Sequence, residues 1–311
     1  MEQTAVEKKF GKYVMASMIT MFLQSAYSMI DGLFVSNLIG DTALSAVNVA
    51  WPVIAVVTAI GTGVGCSGAV MMSTKQGEGK NEESNIVRAN VILALLASSI
   101  VVTILFLVLL TPLLKLMGAE GELLRLSQIY GRVMLTGGVL QILSCGLTPL
   151  LRNDNRAVSA MMIMVGGLFA NLGLDFVFMY VFHMGIGGAA GASLCAQLFT
   201  TLCCLIILGT KKTDPIRFSQ FMIRKEYWKK IFKTAVSPFG ISLTPSLLIL
   251  YHNVACLKFG GDLAVNAYAL ISSTVGSYRV LLIGVAEGIQ PLASYAYGAH
   301  DFHAIRKIRN K

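Results

Sequence analysis

The chain has 311 residues, of which 55% are hydrophobic and only 13% charged, and its mean hydropathy is +0.69. Soluble domains carry about 25% charged residues, so this composition excludes a disordered chain, a nucleic-acid-binding arm and an ordinary cytosolic enzyme. In a soluble protein the net charge of +9 would indicate an anionic partner. In so apolar a chain it matters instead through position, because basic residues orient a polytopic membrane protein.

The predicted elements are all α-helices, and their lengths fit a membrane. A span needs about 20 predominantly apolar residues. Eight segments meet this requirement: 14–36, 45–72, 86–111, 124–150, 158–182, 187–209, 234–257 and 264–297. The stretch before the first segment is too polar for a signal peptide, so that segment is expected to remain as a span.

One long polar linker separates the sixth and seventh segments. Residues 210–233 contain eight basic residues, and this composition is typical of an amphipathic segment at the membrane interface. The aromatic residues among them are Phe218, Phe221, Trp228 and Phe232. The simplest interpretation is contact with anionic headgroups, and a regulatory site is the alternative. The sequence thus predicts a six-helix lobe over 1–209, this cytoplasmic linker, and an incomplete second lobe over 234–311.

The distribution of basic residues predicts the orientation. With the N-terminus in the cytoplasm and alternating spans, 20 of the 25 Lys and Arg residues fall inside and 3 outside. Arg132 and Arg279 remain within spans. This asymmetry follows the positive-inside rule, and it predicts a multi-pass protein of the cell membrane with a cytoplasmic N-terminus.

An internal repeat relates the two ends of the chain. When the sequence is shifted by 221 residues, eight identities fall in a window of 38 residues, which runs from Gly40–Asp41 against Gly261–Asp262 to Gly77 against Gly298. About three identities are expected by chance. The offset covers six spans, so the repeats share one orientation, as parallel transporter repeats do. We therefore interpret the chain as a C-terminally truncated fragment of a protein with about twelve spans.

Several polar side chains lie inside the predicted spans, where an ionisable group costs about 2.5–3.5 kcal/mol or more. They are Gln24, Asp31, Asn48, Gln141, Asn171, Asp175, Gln197, His252, Arg279 and Glu287. A single amide at this depth is most simply explained by hydrogen bonds between helices. Carboxylates on two helices of one bundle indicate an ion or proton site instead.

Helical spacing groups these side chains into two faces. Asn171 and Asp175 share one face of the fifth segment, and Gln24, Tyr27 and Asp31 share one face of the first. If the faces meet, two carboxylates share a buried pocket, and one is expected to hold a proton near neutral pH. Carboxylate, amide and hydroxyl oxygens also suit a hard cation, so Na⁺ bound by Asp31, Asn171 and Asp175 is the alternative.

Several other sequence patterns are not expected to form a functional site. Residues 63–68 match GxGxxG, but no strand precedes them, so we expect close helix packing rather than a dinucleotide site. His300 and His303 lie on a polar tail and are not expected to bind metal. The six cysteines are spread through apolar stretches without metal-ligand spacing and are expected to be reduced packing residues. No catalytic triad spacing is present, so no enzyme is predicted.

The chain resembles the multidrug and toxic compound extrusion (MATE) transporters over nearly its whole length. The resemblance rests on the order and spacing of stretches that include YSMIDGLFVSNLIGD, STKQGEGK, LTPLLRNDNRAVSAM, NLGLDFVF and GIGGAAGASLCAQ. The final EGIQPLASYAYGA is similar to the MepA-like branch. The resemblance implies export of amphipathic, often cationic small molecules in exchange for H⁺ or Na⁺, with no cofactor besides the coupling ion.

The resemblance also implies a cation-coupling site in the first lobe. In this sequence the matching residues are Gln24, Tyr27, Asp31, Asn171, Asp175 and Ser193. In the second lobe, His252 occupies the repeat position of Asp31, where it either titrates or is satisfied by its helical neighbours. Glu287 and Arg279 are about 12 Å apart along a helix, too far for an ion pair, so each is expected to face a wet cavity.

Two alternatives to an exporter remain open. A lipid-linked oligosaccharide flippase of the same superfamily requires a basic cavity for pyrophosphate, and the first six spans offer only Arg132 near an edge. A non-transporting membrane scaffold or regulator is the other alternative, and truncation would permit it. The lipid bilayer and small molecules are the predicted partners, with no nucleic acid, while the oligomeric state is left open by the sequence.

Overall fold

The computed structural model describes residues 3–210 and 220–310; the side chains of 3–9, 27–29 and several positions within 250–277 lie outside this description. The described residues form helices and short turns without a strand, which confirms the all-α prediction. The helices are α1 (Gln3–Ile39), α2 (Asp41–Gly77), α3 (Asn81–Leu116), α4 (Gly121–Thr136), α5 (Gly138–Leu151), α6 (Ala157–Asp175), α7 (Gly185–Gly209), α8 (Lys225–Gly298) and α9 (Phe302–Arg309). Two π-helical segments, Arg152–Arg156 and Phe176–Val181, flank α6.

Five helical stretches of the described chain are long and apolar enough to cross a membrane. They are Phe10–Ile39, Asp41–Gly77, Asn81–Leu116, Gly138–Val181 and Gly185–Gly209. Large apolar side chains on α3, such as Val101 and Val108, are 65% and 72% exposed, as lipid-facing residues are in a protein without its bilayer. The chain is thus a multi-pass membrane protein, and the predicted number of eight spans stays a prediction.

Glycines end or interrupt the first helices. α1 and α2 meet at Gly40, whose φ of +116° is a conformation that other residues rarely adopt. The predicted fourth span is divided into α4 and α5, which meet at Gly137. A Cβ at Gly137 would collide with the side chain of Leu194, so this break also lets α7 approach closely.

α8 is helical over 74 residues, where the sequence predicts two spans joined by a turn at Gly261–Asp262. Its contacts show that it reverses direction. Ser67 of α2 donates to the carbonyl of Ile231 at 2.9 Å, and Ser73 donates to the carbonyl of Pro291 at 3.3 Å. In a straight helix the two acceptors would be about 90 Å apart, whereas Ser67 and Ser73 are separated by about 9 Å.

The reversal lies between His252 and Tyr268. Their rings stack with centroids 5.0 Å apart, although 16 residues of straight helix would separate them by about 24 Å. This interval contains the predicted turn. No proline lies in this interval, and each of its two glycines weakens a helix by only about 1 kcal/mol, so helical backbone extends up to the reversal from both sides. We call 225–252 the first limb of α8 and 268–298 the second limb.

Helix boundaries repeat as the sequence does. α2 ends at Gly77 and α8 at Gly298, and α3 and α9 begin 221 residues apart as well. The left-handed Gly79 (φ +77°) is matched by His300 (φ +55°). The two repeated helix ends also touch, because a Cβ on Gly77 would collide with the carbonyl oxygen of Tyr295. The second limb of α8 is therefore the structural counterpart of α2.

The predicted interfacial linker is only partly described, and its described part is packed. Residues 211–219, with Phe218, lie outside the described residues. Phe221 and Trp228 pack against the buried core instead of facing headgroups, and α8 begins nine residues earlier than predicted. Packing against neighbouring helices gives these rings close contacts that disordered lipid headgroups do not offer. Only Phe232, 41% exposed, keeps an outward position.

Candidate cation site

Asp175 and Asn171 lie on the buried face of α6. Their exposures are 0% and 6%, and Asn171 Nδ2 donates to Asp175 Oδ2 at 3.2 Å. The four-residue spacing thus produces a direct contact on one face. Asp175 is the last residue of α6, where the backbone passes into the π-helical segment Phe176–Val181. Such local widening of a helix is frequent at functional sites.

Asp31 approaches the same region from α1, which packs against α6, α7 and the π-helical segment. Its Oδ1 is buried. Tyr130 of α4 is only 5% exposed and lies within the range of electrostatic interaction with both Asp31 and Asp175. Both carboxylates therefore lie within electrostatic range of one buried phenol. We call Asp31, Tyr130, Asn171 and Asp175 the acidic site.

Tyr130 was missed by sequence reasoning. It lies in α4, an amphipathic helix whose inward face ordinarily carries core residues. A tyrosine in such a pattern gives no signal of its own, and only its electrostatic proximity to carboxylates on two other helices reveals it.

The remaining predicted residues of the first lobe differ in position. Ser193 lies partly buried on α7, one turn from Gln197, whose buried Oε1 has no hydrogen-bond partner among the described residues. Gln24 is exposed and lies two helical turns from Asp31 on α1. The side chain of Tyr27 lies outside the described residues.

The predicted residues of the second lobe differ in their surroundings. Glu287 has an ion-pair partner on another helix: its Oε2 lies 2.5 Å from Nη1 of Arg152. Arg279 is exposed. His252 is exposed as well, and its Nδ1 lies 2.7 Å from the carbonyl of Leu248 on its own helix, which matches the alternative of a satisfied histidine.

The chemistry available at the acidic site is that of a small cation. Two carboxylates, an amide and a phenol are potential oxygen ligands, and Asn171 donates a hydrogen bond to Asp175. Like charges in a buried site disfavour double ionisation, so the pair is suited to hold one proton or one monovalent cation. Among the described residues, no three His, Cys, Asp or Glu side chains lie close enough together to hold a metal ion.

Known proteins are similar to this chain in sequence. A family model described as MatE matches residues 16–177, more than half of the chain. The multidrug export protein MepA of Staphylococcus saprophyticus is 24% identical over 298 residues, which cover 95% of this chain and 66% of that protein. MepA of Staphylococcus aureus strain N315 is 25% identical over 305 residues, with 96% and 66% covered. The chain thus spans about two thirds of the length of these relatives.

Solved transporter structures have the same fold as this chain. A MOP superfamily transporter from Pyrococcus furiosus superposes with a TM-score of 0.90 at 26% identity, covering 97% of this chain and 67% of that one. A MATE transporter crystallised in complex with MaL6 gives a TM-score of 0.91 at 26% identity, with 97% and 68% covered. The described helices therefore have the arrangement found in these transporters.

Proposed function

Because the chain belongs to the MatE family, we propose that it acts as a multidrug exporter, which moves amphipathic and often cationic compounds out of the cell in exchange for H⁺ or Na⁺. Proteins of this kind are transporters rather than enzymes. The proposed organisation is a first lobe over 1–209, a linker over 210–233 and a second lobe that begins at 234. The N-terminus is proposed to lie in the cytoplasm, because most basic residues then fall on that side of the plasma membrane.

The observation that carries the proposal is the buried Asn171–Asp175 pair on α6, against which α1 packs with Asp31. Two carboxylates that share a buried site retain one cation between them, either a proton or Na⁺. Asn171 donates to Asp175 at 3.2 Å, and the buried Tyr130 hydroxyl lies within electrostatic range of both carboxylates. Loss of the cation leaves two repelling charges, so the cation-bound and cation-free forms favour different packing of α1 against α6. Exchange follows when the drug prefers one of these packings and the cation the other.

The proposal is tested by neutralising each carboxylate. Asp31→Asn and Asp175→Asn keep the side-chain size but remove the charge, and we expect each to reduce ion-driven ethidium export by about tenfold or more. Efflux is measured in cells that lack other exporters, with and without an imposed H⁺ or Na⁺ gradient. Asp41→Asn is the matched control, because Asp41 lies at the turn after α1 and accepts a hydrogen bond from Ser36 at 2.6 Å on the exposed surface. Export and ion dependence unchanged in both variants would contradict the proposal.

A further inference from the structure

The π-helical segment Arg152–Arg156 joins α5 to α6, and its five consecutive side chains reach five different helices. Arg152 pairs with Glu287 of α8, Asn153 with Gln290 of α8, Asp154 with Gln76 of α2 and Arg88 of α3, Asn155 with Tyr13 of α1, and Arg156 with the carbonyl of Ile207 of α7. Asn155 adopts φ +60°, which asparagine tolerates better than most residues. This bend turns neighbouring side chains in opposite directions.

One part of the segment is fixed within the first repeat. Asp154 Oδ2 lies 3.5 Å from Arg88 Nη1, and both side chains are only 1% exposed. Gln76 donates to the other carboxylate oxygen of Asp154 at 3.0 Å. Water cannot replace these contacts without unpacking α2, α3 and α5, so the segment moves with those helices.

The other part bridges to the second repeat through more accessible contacts. The Arg152 and Glu287 side chains are 10% and 26% exposed. Asn153 Nδ2 donates to Gln290 Oε1 at 2.9 Å, and Gln290 Nε2 donates back to Asn153 Oδ1 at 3.3 Å. A cavity of about 230 Å³ borders Asn153, so water has room to take over these bonds. We call the Arg152–Glu287 and Asn153–Gln290 contacts the inner latch.

The inner latch and the acidic site lie at opposite ends of α6. The latch precedes its first residue and Asp175 is its last, and the 19 residues of α6 place them about 27 Å apart. This distance is close to the full thickness of the hydrocarbon core, about 30 Å. Contacts at one membrane face that close while the site is open to the other face are what alternating access requires.

We propose that the inner latch is a releasable gate, which holds the two repeats together at the cytoplasmic end and parts when the acidic site turns inward. The proposal rests on the transport function proposed above. The deeply buried Arg88–Asp154 pair keeps the segment attached to the first repeat in both states. Glu287 and Gln290 leave with the second limb of α8.

A native thiol reports on the state of the gate. Cys66 of α2 is partly buried and free, and it lies within the range of electrostatic interaction with both Glu287 and Arg152. Separation of the latch exposes this side of α2 to cytoplasmic water. A variant whose other cysteines are replaced by serine therefore carries a single reporter. The replaced residues are Cys145, Cys195, Cys203, Cys204 and Cys256.

The experiment measures how fast Cys66 reacts with a membrane-impermeant maleimide in inside-out and right-side-out vesicles. Glu287→Gln is expected to raise the rate about tenfold from the cytoplasmic face only, since a population shift of this size follows the loss of one charge-assisted contact. The reciprocal exchange Arg152→Glu with Glu287→Arg is expected to restore the slow rate. Glu83→Gln is the control, because it breaks an exposed pair with Lys75 at the same end and should leave labelling unchanged.

Two further variants distinguish a failure of the gate from a failure to fold or to transport. Gln290→Ala removes the second latch contact without touching the ion pair, and it is expected to accelerate labelling even if Glu287→Gln fails to fold. Unchanged labelling in Glu287→Gln and Gln290→Ala, or an exchange variant as fast as Glu287→Gln, would overturn the gate. Asp31→Asn in the same background is expected to abolish export yet leave labelling measurable, so a failure of the proposed transport is seen separately from a failure of the gate.

Discussion

Tyr130 is buried within electrostatic range of two carboxylates that the sequence places on different helices. Replacing it with Phe removes only the hydroxyl, and we predict that ion-driven ethidium export falls by about tenfold, because a hydroxyl dipole near two buried carboxylates affects their charged forms strongly where little water is present. Efflux in cells and its dependence on the ion gradient are measured together. The matched control is Tyr180→Phe, whose side chain is 54% exposed. Equal export by Tyr130→Phe and its control would remove Tyr130 from the acidic site.

Arg88 is a second residue whose role depends on burial. We predict that Arg88→Gln lowers the stability of the protein by about 3–5 kcal/mol, because Asp154 is then left buried without its cation. The double variant Arg88→Met with Asp154→Leu is expected to recover much of this loss, since neither charge remains. Thermal unfolding in detergent measures both.

The control for this pair is Arg125→Gln. Arg125 pairs with Glu122 on the surface, with side chains 67% and 57% exposed, and such pairs contribute about 1 kcal/mol or less. Equal small losses in Arg88→Gln and Arg125→Gln would show that the Arg88–Asp154 pair is not buried in the membrane-embedded protein.

Spacing along one helix predicted the contact of Asn171 with Asp175 but not the ion pairs that join two helices. The contact of Asn171 with Asp175 follows from their spacing. The partners of Arg88 and Glu287 do not, because Asp154 and Arg152 come from a π-helical bend whose geometry has no periodic signal. Gln24 shares the helical face of Asp31 by spacing, yet its side chain is exposed, although Ser17 and Thr20 on the same face are buried.

At the scale of elements, the glycines of residues 63–68 set how closely helices approach α2. Gly63 meets the carbonyl of Ala235, Gly65 meets the backbone of Gly146, and Gly68 meets the side chain of Val91. Three glycines thus admit three different helices, which confirms the expectation of close packing rather than nucleotide binding.

Gly65→Ala tests this packing. A Cβ there would collide with the backbone of Gly146, so we predict a loss of about 1–3 kcal/mol of stability. Gly240→Ala on α8 is the control, since nothing lies within 4 Å of its Cβ position, and it should be neutral or stabilising by up to about 1 kcal/mol. Thermal midpoints in detergent compare the two. A stable Gly65→Ala variant would mean that α2 and α5 are further apart.

The reversal of α8 is tested by a distance. Spin labels on cysteines at Ile249 and Ile271, both exposed, are expected to lie within about 20 Å, because packed antiparallel helices are 8–10 Å apart. A straight helix would separate the two positions by about 33 Å, and that value would contradict the two-limb arrangement.

Apolar length and the repeat predicted where most helices lie, including the end of α2 at Gly77 and the reversal near Gly261–Asp262. They did not predict the division between α4 and α5, because a glycine pair inside an apolar run is compatible with a continuous span. Nor did they predict that Trp228 packs inward, since an aromatic and basic pattern fits a lipid interface and a helix contact equally well.

In the whole molecule, α6 runs from the inner latch to the acidic site. It begins at the segment that forms the inner latch and ends at Asp175, so a tilt of this one helix moves both. A change in charge at the acidic site can therefore be transmitted to the contact between repeats without a separate pathway. This arrangement accounts for the presence of a bend that contacts five other helices at one end and a buried carboxylate at the other.

The most direct test is whether drug binding expels a cation from the acidic site. Purified protein in detergent, in weakly buffered solution or preloaded with radioactive Na⁺, is titrated with tetraphenylphosphonium while released H⁺ and Na⁺ are measured. We predict release of about one cation per bound drug molecule, since the two carboxylates hold one cation between them. Release should be lost in Asp175→Asn and retained in Asp41→Asn. Saturable drug binding by the unmodified chain with no cation released would contradict exchange at Asp31 and Asp175.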